Sequence, residues 1–240
     1  MITNIVLDSS YRNSIFSSNN KWVYSPSKSY LNVKDFKLTG CIIPNTQYLI
    51  HDNNNSLTIT YLATDYIFTL TKGFYTPSTL ATELQTQLNT NGFGATFTIS
   101  QSSTTHKFRF QCTGSIIYKF ASNSSLAKIL GFTVSNTTSS TDITGANIYD
   151  LSGSKYYNLR INEINNALDT NITQINQSFV IPNNVNFGEY NYLTDNTNII
   201  NDIRNMQNRI DKLTIELFDD ENNLVNLNGA NYILFFSIEQ

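Results

Sequence analysis

Charge is what this sequence has least of. Only 14% of its 240 residues are Asp, Glu, Lys or Arg, against about 25% in an average soluble domain. The net charge of −3 excludes a strongly basic nucleic-acid binder as a property of the whole chain. Cysteine occurs twice, at Cys41 and Cys112, each in an apolar, strand-like stretch, so there is no disulfide framework. A chain of this length buries about 70% of its unfolded surface and needs no such staple. The two histidines, His51 and His106, lack a Cys or His partner at zinc-ligand spacing, which argues against a structural zinc site. No apolar run approaches the roughly 18 residues of a membrane span, and no basic-then-apolar leader opens the chain. A Gly-rich phosphate loop and a Gly-x-Ser-x-Gly nucleophile elbow are both missing. So is any repeat of fixed period, which leaves solenoids and propellers unsupported.

Uncharged polar residues fill the gap: 34 Asn, 28 Thr and 24 Ser make up 36% of the chain. Ser, Asn and Thr offer the backbone competing local hydrogen bonds and are poor in helix interiors, so a helix-dominated protein is not expected. The 15 Phe and 14 Tyr supply apolar surface that a disordered chain would lack. Five Asn-x-Ser/Thr sequons, at Asn54, Asn123, Asn136, Asn171 and Asn176, fall below the about seven that this composition gives by chance and say nothing about secretion.

The dominant hydrophobic period is two. Leu57, Ile59 and Tyr61 alternate with Thr58 and Thr60; Tyr66, Phe68 and Leu70 alternate with Thr69 and Thr71. The same alternation recurs at Phe97 and Ile99, at Phe108, Phe110 and Cys112, at Tyr157, Leu159 and Ile161, and at Leu213, Ile215 and Leu217. Each reads as a half-buried strand, with Thr on the pleated outer surface. Between residues 31 and 43 the parity changes: Leu31 and Val33 oppose Phe36, Leu38 and Ile42. A bulge or bend near Lys34 and Asp35, or a strand crossing between sheets, reconciles them. Near the C-terminus, Asn228-Gly229 is a type I′ turn pair preceded by Leu224, Val225 and Leu227, predicting a hairpin. The following strand is apolar on both faces, with Tyr232, Leu234, Phe236 and Ile238 opposite Ile233 and Phe235. Both faces need a cover, from within the chain or from a neighbouring subunit.

Helix is expected in few places. Thr76 caps, Pro77 suits the first helical position, and Leu80, Leu84 and Leu88 form a stripe that runs to Asn89 before Asn91-Gly92. Residues 124–130 read as two turns stopped by Gly131, and residues 199–210 carry Ile199, Ile203, Met206 and Ile210 at helical spacing without a cap. These signals predict an all-β, antiparallel β-sandwich with a small inserted α+β excursion. The expected organisation is an N-terminal arm over residues 1–28, then a single domain over 29–240 with the inserted block at about 74–134. The Ser/Thr/Gly-rich stretch 135–146 reads as an exposed loop. Two consecutive domains meeting near residue 140 is the alternative.

Little chemistry is legible. His51 sits beside Asp52 in an Asn-rich turn, His106 precedes a strand, and a hydrolase built on either has the least support. Ser-x-x-Lys at Ser25–Lys28, Ser125–Lys128 and Ser152–Lys155 is expected by chance in so Ser-rich a chain. Asp219, Asp220 and Glu221 form an acidic cluster between strand signals, which reads either as a solvated turn or as a calcium site. Asp195 and Asp202 lie among Asn residues without a spacing signature. Arg12, Lys21, Lys28, Lys34 and Lys37 are interleaved with Tyr11, Phe16, Trp22, Tyr24 and Tyr30. That footprint fits single-strand binding or an arm docking on a partner, and the few charges, offset by Asp8 and Asp35, favour the arm. No catalytic, cofactor-binding or metal-ligating residue is assigned.

Several strings taken together carry a resemblance. Leu7-Asp8-Ser9-Ser10-Tyr11-Arg12-Asn13 precedes a strand ending Ile42-Ile43-Pro44-Asn45-Thr46-Gln47-Tyr48. Gly73-Phe74-Tyr75-Thr76-Pro77 then leads into the Leu80 helix, followed by Leu126-Ala127-Lys128-Ile129-Leu130-Gly131-Phe132. The chain closes with Leu213-Thr214-Ile215-Glu216-Leu217-Phe218-Asp219 and Tyr232-Ile233-Leu234-Phe235-Phe236. This order is similar to that of the penton (vertex) and minor capsid proteins of large double-stranded DNA viruses: giant viruses, virophages and polinton-like viruses. The resemblance implies a jelly-roll sandwich, a virion location, pentameric assembly for a penton, and no enzyme activity or cofactor. The implied partners are copies of itself, a double jelly-roll major capsid protein and other minor capsid proteins, with neither nucleic acid nor a membrane span. A minor capsid or cement role, and a glycan-binding fibre-like β-sandwich module, are the alternatives. An arm reaching a partner predicts that removing residues 1 to about 25 abolishes incorporation and spares the fold.

Overall fold

The computed structural model describes residues 1–12, 20–90, 95–113, 118–133, 140–164, 179–194 and 209–240, together with the backbone of 202–204. Phe16, the Asn91-Gly92 helix stop, residues 135–139, Asn171, Asn176, Asp195, Ile199 and Met206 lie outside the described residues; the rest of the 135–146 stretch, expected to be an exposed loop, contains a strand over Asp142–Thr144 with Ile143 buried. In chain order the elements are β1 (Ile2–Asp8), β2 (Lys21–Tyr24), β3 (Tyr30–Leu31), β4 (Asp35–Pro44), β5 (Ser56–Tyr61), β6 (Thr64–Thr69), α1 (Pro77–Thr90), β7 (Phe97–Gln101) and β8 (Phe108–Cys112). They continue with β9 (Tyr118–Phe120), β10 (Asp142–Thr144), β11 (Tyr156–Ile161), β12 (Phe179–Pro182), β13 (Tyr190–Thr194), β14 (Asp202–Arg204), β15 (Arg209–Ile210), β16 (Leu213–Phe218) and β17 (Ile233–Glu239). The chain divides into two compact units, Met1–Gln47 with Ser154–Gln240, and Tyr48–Gly153.

The first unit holds two four-stranded antiparallel sheets, ordered β1-β17-β4-β13 and β12-β11-β16-β2, with β14 adding to β4. Successive long strands alternate between the sheets, β1, β4, β13 and β17 in one and β2, β11, β12 and β16 in the other, except that β11 and β12 follow one another as a pair within the second. That connectivity is a jelly roll. The inner faces are apolar because the alternating positions read from the sequence, Ile42 excepted, point inward. Leu7, Phe36, Leu38, Leu234, Phe236 and Ile238 come from one sheet, and Trp22, Tyr157, Leu159, Phe179, Ile215 and Leu217 from the other. Phe36, Phe179 and Phe236 form a three-ring cluster between the sheets, with centroids 4.9–6.3 Å apart.

The parity change in β4 is a bulge, lying further along than Lys34 and Asp35. Phe235 pairs with Gly40 and Phe236 with Leu38, so Thr39 is the extra residue. It moves the inward set from Phe36 and Leu38 to Cys41 and Ile43, leaving Ile42 outward. A side chain at Gly40 would stand 2.9 Å from the Leu193 carbonyl oxygen, which is why a glycine occupies the bulge.

The segment expected to be an arm contains two strands. All seven residues of β1 pair with β17, and β2 pairs with β16, placing Trp22 in the core. The expected C-terminal hairpin is also different. Asn228 and Gly229 both have positive φ and form the turn, closed by the Ala230 N–H on the Leu227 carbonyl at 3.0 Å. The limb before the turn bonds instead to β16, through Val225 N–H to Leu217 O at 2.9 Å, because the free sides of β17 are already taken by β1 and β4.

The second unit has its own core, built on two three-stranded sheets, β6-β5-β9 and β10-β8-β7, and helix α1. The helix matches its sequence signals: Leu80, Ala81, Leu84 and Leu88 are buried. Thr76 and Thr79 cap it reciprocally, each backbone N–H donating to the other's hydroxyl at 2.9 and 3.2 Å. This unit also takes in residues 48–73 and 135–153, beyond the 74–134 block expected to be inserted. The alternation of β5 and β6 has the same period as that of the jelly-roll strands, so patterning alone does not separate them.

Residues 124–130 form consecutive turns instead of a helix, closed by Phe132 N–H on Ala127 O at 2.8 Å with Gly131 at φ +80°. Of the uncapped 199–210 candidate, the described residues are strand, β14 on β4 and β15 on β3.

Candidate assembly surface of the jelly roll

The two outer faces of the jelly roll differ in where their charged groups stand. On the β1-β17-β4-β13 sheet, the register places Asp8, Ile233, Ile42 and Tyr192 in one lateral row, and Val6, Phe235, Gly40 and Thr194 in the next. Tyr190, opposite Pro44, extends the face, and its ring lies 6.2 Å from that of Tyr192. Val6 is 61%, Tyr190 51% and Tyr192 67% exposed, while Ile42, Ile233 and Phe235 between them are half-buried. The outward side of β17, apolar in the sequence, therefore stays only partly covered. Apart from Asp8 on the edge strand, whose carboxylate accepts the Ser10 N–H, the charge of the paired rows lies at the far end, where Glu239 pairs with Asp35 and Ser237 with Lys37.

The opposite sheet presents ions. Arg160, Glu216 and Lys21 form a lateral row across β11, β16 and β2, with Lys21 Nζ 2.6 Å from Glu216. Arg160 lies 3.8 Å over the Phe218 ring and donates to Asn222. Glu163 accepts from both the backbone N–H and the hydroxyl of Thr214, at 2.6 and 2.7 Å. Lys21 with Glu216 and Glu163 with Thr214 pair on this face, and Val23, Tyr156, Val180 and Phe218 stand at its other outward positions.

The N-terminal motif Asp8-Ser9-Ser10-Tyr11-Arg12 is a clasp. Ser9 exchanges backbone and hydroxyl hydrogen bonds with Tyr232 at 2.9 and 2.8 Å, and Asp8 accepts from Ser10 N–H at 2.8 Å. Arg12 reaches Ser9 O and Asn231. From Tyr232 the link continues to the other sheet, since Trp22 Nε1 donates to the Tyr232 hydroxyl at 2.8 Å in the core. The basic and aromatic residues of this region are thus dispersed: Trp22 is buried, Tyr24 and Tyr30 pack on the core, and Lys21 is paired.

The acidic cluster is a turn organised by one buried carboxylate. Asp219 Oδ1 accepts the N–H groups of Glu221 and Asn223 at 3.0 and 2.7 Å, and its Oδ2 accepts from Gln47 at 3.3 Å. Asp220 accepts from Lys155 N–H at 3.2 Å. Burial, reinforced by the nearby charges of Asp219 and Asp220, pushes the Tyr157 hydroxyl above its usual range, and that hydroxyl donates to Asn45 at 3.3 Å. Among the described residues, no group of three or more His, Cys, Asp or Glu is placed to hold a metal ion.

The remaining candidates have local partners. His51 Nδ1 accepts from Asn53 N–H at 3.4 Å, and its neighbour Asp52 pairs with Lys72 at 3.1 Å. His106 Nδ1 lies 3.1 Å from the Tyr149 hydroxyl. The Ser125 hydroxyl bonds to the backbone of Ser56 and that of Ser152 to Asp150. Cys41 is buried, and that burial pushes its thiol up to about 12. Tyr190 and Tyr192 went unread in the sequence, although their alternation with buried Asn191 and Leu193 is the period-two signal that marks an outward pair.

The strand order and the inserted second unit place the chain in the class of jelly-roll β-sandwich proteins. No protein-family model and no curated protein matches its sequence. Among solved structures it is similar to the mavirus penton protein, at 11% identity and a TM-score of 0.51, over 99% of this chain and 98% of that one. It also aligns with a chain of the Sputnik virophage cryo-EM structure, at 11% identity and a TM-score of 0.45, over 99% and 97% of the two chains. The likeness to the mavirus protein is one of fold.

Proposed function

We propose that this chain is a non-enzymatic structural protein of a viral capsid, a penton that assembles as a homopentamer at the vertices beside a double jelly-roll major capsid protein. The observation that carries the proposal is the fold likeness to the mavirus penton protein, which runs through 99% of this chain and 98% of that one, inserted unit included. The resemblance of the ordered sequence strings points the same way. The mechanism is geometric: a rigid sandwich presents one patch to the next copy, and a heterologous contact closes when its rotation returns to the start.

The test is the particle mass of the purified protein together with its copy number per virion. A pentamer at about sixty copies, five at each of twelve vertices, supports a penton. Several hundred copies would assign a cement or other minor capsid role. Absence from purified particles would overturn the capsid reading altogether.

A further inference from the structure

We infer that the apolar half of the outer face of the β1-β17-β4-β13 sheet, centred on Val6, Ile42, Tyr192 and Phe235, is the surface on which a second copy of this chain seats. The inference rests on the homo-oligomeric capsid reading and deepens it.

Size comes first. Four strands about 4.8 Å apart and seven residues at about 3.3 Å rise span a whole face of roughly 440 Å², so its apolar half covers roughly 220 Å². That is about a quarter of the roughly 800 Å² that each partner contributes to a standard interface, the size of an apolar centre inside a wider rim. Its relief suits a seat. Val6 on one edge strand and Tyr190 and Tyr192 on the other stand exposed, while Ile42, Ile233 and Phe235 lie half-buried between them.

Charge identifies the occupant. None of these six side chains carries charge, so nucleic acid, a lipid headgroup or an acidic peptide would lose hydration here without gaining a counter-ion. The counter-surface must itself be neutral and apolar. In a chain with 14% charged residues, copies meet without strong like-charge repulsion.

The edge of the same sheet points the same way. In the second unit the free edge of β7 is sealed by side chains of α1: Asn89 bonds both ways to Phe97, at 2.7 and 3.0 Å, and Gln85 accepts from Ile99 N–H at 3.0 Å. Strand β1 has seven residues, no Lys and no Pro. Among the described residues, no comparable side-chain seal lies along its outer edge. A long edge of that kind is normally paired or covered. Ile2 and Val6, 68% and 61% exposed, belong to the edge and the face at once.

The experiment compares the full-length chain with Tyr192→Lys and Val6→Lys, and with Val23→Lys on the outer face of the opposite sheet as the control. Sedimentation velocity and native mass spectrometry over a concentration series read the assembly, and circular dichroism reads the fold. The wild-type chain should assemble. Tyr192→Lys and Val6→Lys should raise the half-assembly concentration at least tenfold, and Val23→Lys should change it less than twofold. Where a lysine disturbs the fold, Tyr192→Ser and Val6→Thr take its place. If the wild type assembles and the face variants assemble equally tightly, the proposed seat is wrong and the homo-oligomer stands. If the wild type is a monomer at every concentration, the homo-oligomeric reading fails and takes the seat with it.

Discussion

At the scale of single residues, the excess of Asn, Ser and Thr has a structural use: these side chains complete backbone hydrogen bonding where the ladders stop. Ser124 Oγ accepts from Thr58 N–H and donates to Thr58 O at 3.0 and 2.9 Å. Asn54 donates to Leu49 O, Asn45 to Val185 O and Asn183 to Ser154 O, each at 2.8–2.9 Å. A buried backbone group without a partner is costly, so such residues hold irregular connections in place. Trp22 plays a comparable part in the core, and Trp22→Phe should leave the Tyr232 hydroxyl without its donor. The expected loss is about 1–3 kcal/mol, before the void left by the smaller ring, read by denaturant unfolding. Adding Tyr232→Phe should recover part of it, because both polar partners are then gone. The two thiols should differ as well. Cys112 is partly exposed and Cys41 is 1% exposed, with its thiol pushed up to about 12. One equivalent of a disulfide reagent should therefore react at pH 8 in the folded protein, and the second only in denaturant.

At the scale of elements, agreement with the sequence follows the density of local signals. Helix α1 has a cap, a proline and a leucine stripe within fourteen residues, and all of them are used. The turn at Asn228-Gly229 also forms, since its positive φ values are a local property. The partner of the limb before it is not local, and that limb went to β16. The bulge at Thr39 was legible only as a change of parity; its place was set by the register against β17 and by the close approach of Leu193 to Gly40. The sealed edge of β7 could not be read at all, because Gln85 and Asn89 look like ordinary polar helix positions. Asn89→Ala removes two hydrogen bonds to Phe97, which is buried. It should cost about 1–3 kcal/mol and raise amide exchange at Phe97 in the second unit, while leaving the jelly-roll strands as protected as before.

At the scale of the whole molecule, the N-terminal segment changes meaning. Removing residues 1–25 would strip β1 from β17, take Leu7 and Trp22 out of the core and break the Ser9–Tyr232 clasp. The truncated chain should lose cooperative unfolding of the first unit by circular dichroism, so failure to enter particles would report lost structure and not a lost arm. What the sequence determined by itself was the class of structure. Period-two alternation with abundant Thr and aromatics admits little besides antiparallel sheets, and side-chain period is a short-range property. Only the tertiary structure decided which strands pair, where the second unit begins and ends, and which outer face stays apolar. Those depend on contacts across hundreds of residues, such as Val6 with Phe235 and Ile42 with Tyr192, which no local pattern encodes. The low charge that marks the chain becomes informative in the same way: Lys21, Glu216 and Arg160 run in a row across one outer face, whereas Asp8, Asp35, Lys37 and Glu239 stand at the margins of the other, a division that exists only once eight strands have been assigned to two sheets.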